Sequence, residues 1–261
     1  MTYESERTTG QPELGALVPE IIAILGGVIS AMIVVLPLNT FLIILFGPTA
    51  LIAPFTEEPL KVIGVAYLAV SYPSAVASKT RGFILGGLAG LGFAFTENII
   101  YLAQGSGPIS SILRALVCVP MHIGASSLVG AGLVFLALYV SNTGITSPSA
   151  LFQRIRSKDF LFFIGLAIAY HFLYNLTVSL FLPLGVFIAA LGFYMVYRIY
   201  QYLPENFEGL VIDDSIGLLR QALLSKPSEV PVKTLKLFCS NCGAKLSDGD
   251  TFCQQCGNRI K

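Results

Sequence analysis

The chain has 261 residues, 54% of them hydrophobic and only 12% charged, with a formal net charge of +1. A mean hydropathy of +0.76 excludes an ordinary soluble domain and requires several membrane-spanning helices. The near balance of charge leaves no electrostatic case for nucleic acid.

Residues 1–16 form a polar N-terminal segment that opens Met-Thr-Tyr-Glu-Ser-Glu-Arg. It lacks the basic start and short apolar core of a cleavable signal, so the first span is expected to stay in the protein. Crossing hydrocarbon takes about 20 apolar residues. Leu17–Leu38 meets that length, as do Phe83–Leu102, Ile112–Val140, Phe160–Leu182 and Leu184–Tyr200. Phe41–Val70 is long but interrupted between Pro54 and Lys61. It is one bent helix or two short ones, which gives six spans or seven. The fold class is therefore all-α, a polytopic transmembrane bundle over residues 17–202.

Basic residues set an orientation. Lys79 and Arg81 share one loop, Arg154, Arg156 and Lys158 share another, and Arg198 begins the tail. All fall on one side, which should be cytoplasmic in a multi-pass protein of the cell membrane. Residues 203–236 read as an amphipathic helix and a linker. Asp213, Asp214 and Ser215 offer a start, Ile216, Leu218, Leu219, Ala222 and Leu223 form an apolar stripe, and Pro227 and Pro231 mark the linker.

Residues 237–261 carry two matched knuckles, Cys239-Ser-Asn-Cys242-Gly and Cys253-Gln-Gln-Cys256-Gly. Four thiolates make a closed tetrahedral set, so the expected ion is structural Zn2+ in a small four-cysteine zinc ribbon. The other arrangement of these cysteines is a pair of disulfides, which a reducing cytoplasm disfavours. So short a segment holds no core without metal, so binding and folding should be one event. The ribbon suits a protein partner; nucleic acid is not expected, although Lys233, Lys236, Lys245, Arg259 and Lys261 make the region mildly basic.

The chemistry should reside in the few polar groups of the apolar spans. Glu57 and Glu58 sit side by side before Pro59, with Lys61 one turn on. An ionisable pair at that depth marks a functional site. Pro59 suits the first turn of a new helix and disfavours helix at the residue before it, so the pair is expected at a helix break. Glu97 and Asn98 follow the small run Gly86, Gly87, Gly90 and Gly92, where a neighbouring helix can approach closely. His122 and His171 are the two histidines of the chain, and Asn175 shares the face of His171. Arg114 should lie near the outer end of its span, snorkelling or pairing with an acid. Cys118 is a weak candidate nucleophile. A bland reading remains for each carboxylate: an interfacial pair for Glu57 and Glu58, a protonated interhelical hydrogen bond for Glu97.

Glu57-Glu58-Pro59-Leu60-Lys61, Phe93-Ala-Phe-Thr-Glu97-Asn98 and His171-Phe-Leu-Tyr-Asn175, with His122 between the last two, resemble the PrsW family of intramembrane proteases. That family belongs to the wider CAAX-protease and bacteriocin-processing superfamily. Two positions depart from its pattern: Pro59 stands where a helix former is usual, and Asn175 stands in place of an aspartate. The resemblance implies a helix bundle around a water-accessible site and an endopeptidase that cuts a membrane-associated protein. On that footing Glu97, His122 and His171 would hold a catalytic Zn2+ or orient water directly. Glu58 would be the general base, Glu57 would orient a neighbour or pair with Lys61, and Asn175 would bind the oxyanion. A transporter, or a receptor that uses the same polar site without catalysis, is the alternative.

Overall fold

The computed structural model describes residues 14–46, 50–205, 207, 215–224 and 252. All four ribbon cysteines and the 225–236 linker lie outside the described residues. The regular elements are helices: α1 (Val18–Ile29), a π turn (Ser30–Val35), α2 (Leu36–Phe46), α3 (Ala53–Lys61), α4 (Ile63–Ser71) and α5 (Lys79–Ala103). After these come α6 (Pro108–Leu113), a second π turn (Arg114–Cys118), α7 (Val119–Thr143), α8 (Pro148–Ile155), α9 (Lys158–Leu180), α10 (Leu182–Tyr202) and α11 (Ser215–Leu224).

Local chemistry places the ends. The Ser78 hydroxyl accepts from the Arg81 backbone N–H at the start of α5, and Ser157 accepts from Phe160 at the start of α9, as helix N-caps do. Prolines open α3, α8 and α10, where a missing N–H costs nothing. Gly144, at φ 66°, ends α7 in the left-handed conformation that favours glycine.

Five helices among the described residues are long and apolar enough to cross a membrane: Val18–Leu42, Lys79–Ala103, Pro108–Thr143, Lys158–Leu180 and Leu182–Tyr202. This corrects the count of six or seven. Residues 41 and 42 join the first span instead of opening a second. The interrupted stretch is two nine-residue helices, α3 and α4, each too short for the hydrocarbon. Nor does the break fall at the glutamate pair. Glu57, Glu58 and Pro59 all lie within α3, and the chain leaves helical geometry at Val62 (φ −92°, ψ 17°). Pro59 removes one interior donor, and the helix fails one turn later.

α5 and α7 form the central pair. A Cβ on Gly86 would strike the Ser126 carbonyl and the Gly130 backbone, and one on Gly90 would meet the His122 carbonyl and the Ser126 side chain. α1 closes on the other side of α5, with Gly27 against the Ala89 carbonyl and Gly92 against that of Ile24. Small residues thus let three backbones touch where lipid supplies no hydrophobic drive.

The basic residues gather at one end of the bundle. Arg81 pairs with Glu20 at the start of α1, Lys79 donates to the Leu203 carbonyl, and Arg154 pairs with Asp159. α11 packs against the end of α10, where the Tyr202 hydroxyl reaches Gln221 and Ala222 is buried. At the opposite end Asn175 of α9 donates to the Ala50 carbonyl, so α3 and α4 in series connect the two ends.

Candidate functional site

Four elements meet at the centre. α3 supplies Glu57, Glu58 and Lys61, all buried; α5 supplies Glu97; α7 supplies His122 and Ser126; α9 supplies His171. Lys61, with no exposed surface, is the hub. Its Nζ lies 2.7 Å from Glu58 Oε1, 3.3 Å from Glu57 Oε2 and 2.6 Å from His122 Nδ1, and 4.5 Å above the Phe93 ring. Three polar partners and a π face replace the water an ammonium loses on burial.

The two acids differ. Glu58 is saturated: Oε1 accepts from Lys61 and from His171 Nδ1 at 2.7 Å, and Oε2 accepts from Ser126 Oγ at 3.3 Å. Glu57 Oε1 accepts from Asn39 Nδ2 at 3.1 Å, while its buried Oε2 has no hydrogen bond. That oxygen faces His171 Nε2 at 3.9 Å. Its one charged donor is the Lys61 ammonium at 3.3 Å, in an ion pair without hydrogen-bond geometry, so Glu57 Oε2 is the less fully satisfied of the buried carboxylate oxygens.

The rings are fixed as well. An ammonium has no lone pair, so His122 Nδ1 accepts from Lys61, and the proton of a neutral ring sits on Nε2. Nε2 then donates to Glu97 Oε2 at 3.2 Å. In His171, Nδ1 donates to Glu58 and Nε2 is left facing Glu57. The rings meet edge to face with centroids 4.8 Å apart. Each imidazole therefore has one nitrogen anchored on a carboxylate; the other meets Lys61 in His122 and faces Glu57 in His171.

Ligand atoms of Glu57, His122 and His171 all lie within 4.8 Å of one another, as do those of Glu97, Cys118 and His122. Glu97 and His171 share no such group among the described residues. Two histidines and a carboxylate form an accepted catalytic metal set, and Glu57 Oε2, paired with Lys61 at 3.3 Å but without a hydrogen bond, is its carboxylate oxygen. The residues of the first group fit a divalent ion, provided Lys61 swings away.

Of the residues singled out in the sequence, Glu57, Glu58, Lys61, Glu97, His122 and His171 converge. Arg114 joins them through Glu97 Oε2 at 3.0 Å and stacks on Tyr101. Asn98 bonds to the Ser111 carbonyl instead. Asn175 is tied to Ala50 rather than to the cluster. Cys118 is buried, on the same helix side as His122. Asn39 and Ser126 went unremarked in the sequence. Asn39 had a signal, a lone amide within the apolar run of α2; Ser126 had none among its small neighbours.

Comparison with known families agrees with the motifs. The model of the PrsW family intramembrane metalloprotease matches residues 14–202, and that of a zinc-ribbon domain matches residues 238–260. No curated protein and no solved structure matches the chain.

Proposed function

The chain belongs to the PrsW family of intramembrane metalloproteases, and we propose that it hydrolyses a peptide bond of a membrane protein at the Glu57–His122–His171 cluster. The observation that carries this reading is the convergence of Glu57, His122 and His171, whose ligand atoms lie within 4.8 Å of one another, with Glu57 Oε2 held by the Lys61 ion pair at 3.3 Å and by no hydrogen bond, and with one nitrogen of each imidazole held by another carboxylate.

Water entering there is oriented by Glu57 Oε2 and His171 Nε2. Glu57, rather than the saturated Glu58, is the base that takes its proton and returns it to the leaving amine. Glu58 holds the His171 proton on Nδ1 and keeps Lys61 in place. Asn39 fixes the Glu57 carboxylate through its other oxygen. A bound ion would be held by Glu57, His122 and His171, and would lower the pKa of its water and polarise the scissile carbonyl. Ligand and base are mutually exclusive uses of Glu57 Oε2, and loss of activity on chelation separates them. Asn175, as oxyanion donor, would have to release the Ala50 carbonyl when substrate binds.

The basic end faces the cytoplasm in this reading, which puts the ribbon there, with Zn2+ on Cys239, Cys242, Cys253 and Cys256 and a protein partner as its ligand. The test is cleavage of tagged single-span membrane peptides by the full chain in lipid vesicles. Glu57→Gln and His171→Ala are expected to insert normally and to cut at least about 10²-fold more slowly; full cleavage by both overturns the proposal.

A further inference from the structure

We infer that the cluster is entered from the end of the bundle opposite the basic residues, between α5 and the π turn Arg114–Cys118, and that Arg114, laid across Tyr101 and Glu97, is the latch that closes this mouth. The inference rests on the hydrolytic reading only for what passes through. The inner members of the cluster are sealed. The Glu58 and Lys61 side chains have no exposed surface, and those of Glu57, His122 and His171 have 5% or less. Glu97 is 21% exposed and Arg114 27%, and Tyr101 beyond them is exposed too. Exposed charge facing hydrocarbon is costly. Glu97 lies about 9 Å along the axis from Ala103, the last residue of α5, near enough to the end for this surface to meet water and headgroups. Tyrosine favours that depth, and an arginine head reaches out to it.

A polar lining continues outward from Glu97. Asn98 donates to the Ser111 carbonyl, and the Ser106 and Ser111 hydroxyls meet. Asn98 Oδ1 and Arg114 Nε are buried there without a hydrogen bond, an acceptor and a donor that entering water would satisfy. The other directions are closed. Toward the basic end, α5 from Gly82 to Ala94 and α7 from Leu128 to Ala137 carry only apolar residues, with backbones in contact at Gly82, Gly86 and Gly130. On the α2 side Asn39 and Thr56 are bonded to each other, and Asn39 to Glu57.

The closure is made of contacts that can break without unfolding the bundle. The Arg114 guanidinium lies over the Tyr101 ring, 3.9 Å from its centroid, and Nη2 is 3.0 Å from Glu97 Oε2. Partly exposed contacts of these kinds are each weak. The backbone beside them is irregular as well. Arg114 opens a π turn, a feature frequent at functional sites. α6 before it is six residues long and hangs on Gly105 and Gly107, at φ 92° and 77°.

Cys118 is a reporter already in place: it is 6% exposed, and Sγ shares a 4.8 Å cluster with ligand atoms of Glu97 and His122. Oriented membrane vesicles carrying the full chain are treated with a charged, membrane-impermeant methanethiosulfonate. Modification is read by mass on the peptide that holds Cys118, and tryptic cleavage at the exposed Arg156 marks the basic side. Modification is expected from the side opposite the basic end and not from the basic side. Tyr101→Ala should speed it by about 2–30-fold, the change in opening expected when one cation–π contact is lost. Tyr101→Phe keeps the ring face and should leave the rate nearly unchanged. Modification from the basic side alone, or from neither side, overturns the route, and neither result needs a variant to fold. An unchanged rate in Tyr101→Ala, or equal acceleration in Tyr101→Phe, overturns the latch. Acceleration by Asn39→Ala and not by Tyr101→Ala places the mouth on the α2 side and overturns the inference. None of these readings needs cleavage, so an inactive protein would overturn the hydrolytic reading while the mouth was decided separately.

Discussion

Charges cluster in two regions of this bundle, and the two are built differently. At the basic end Arg81 meets Glu20, Lys79 meets Glu205 and Arg154 meets Asp159, with the arginine and lysine side chains 12–33% exposed. In the centre Lys61 and Glu58 have no exposed surface and Glu57 has almost none. Pairs at the end can exchange partners with water and lipid headgroups, so each contributes little and any one is replaceable. The central set has no such recourse. Removing one partner leaves a charge stranded in low dielectric, and the helices must hold every distance at once. A protein accepts that cost where the charges perform chemistry.

The difference can be broken or sharpened by substitution. The largest effect is expected at Glu57. Glu57→Gln removes the proposed base at nearly constant volume and should slow cleavage by about 10²–10⁴-fold while hardly changing thermal stability. An equal loss in stability and activity would make Glu57 merely structural. Lys61→Met strands two buried carboxylates and is expected to destabilise the fold by about 3–5 kcal/mol, read as a lowered denaturation midpoint in detergent. If the fold tolerates Met without loss, the carboxylates have another partner, and metal content of that variant would reveal it. Gly86→Val pushes α5 off α7 and should cost about 1–3 kcal/mol, with activity falling further than stability because Glu97 and His122 sit on opposite sides of that seam. Smallest is the basic end: Glu20→Gln should change stability by no more than about 1 kcal/mol and leave cleavage near its original rate. A large effect there would erase the contrast between the two regions.

Metal content is a separate check. Cys239→Ser with Cys242→Ser should remove only the zinc proposed for the ribbon, since a four-cysteine site would be closed and would fold with its ion. Metal left in that variant and lost in His171→Ala belongs to the bundle.

Much of the site was legible because buried charge is rare in apolar sequence. Glu57, Glu58, Lys61, Glu97, His122 and His171 stand out against their flanks, and the ribbon cysteines announce themselves by spacing. The glycines of α5 signalled a close neighbour, and α7 is that neighbour, with Gly130 reciprocating. Other features had no local signature. Asn39 becomes part of the site only because the first span runs on past Leu38 through α2, which brings the amide against α3.

The sequence by itself determined that this is an all-helical membrane protein with a charged interior site and a cysteine-ligated tail. Those conclusions need only hydropathy, residue type and spacing, which are properties of single segments. Only the tertiary structure decided the different surroundings of the residues inside the site. Glu57 and Glu58 are adjacent and chemically identical in the sequence. α3 turns one toward Asn39, Lys61 and His171 Nε2 with a single hydrogen bond, and the other into three hydrogen bonds. Likewise the two nitrogens of His122 become different once α3 brings Lys61 to one and α5 brings Glu97 to the other. Such roles belong to relations between helices, and they exist only when the helices are packed.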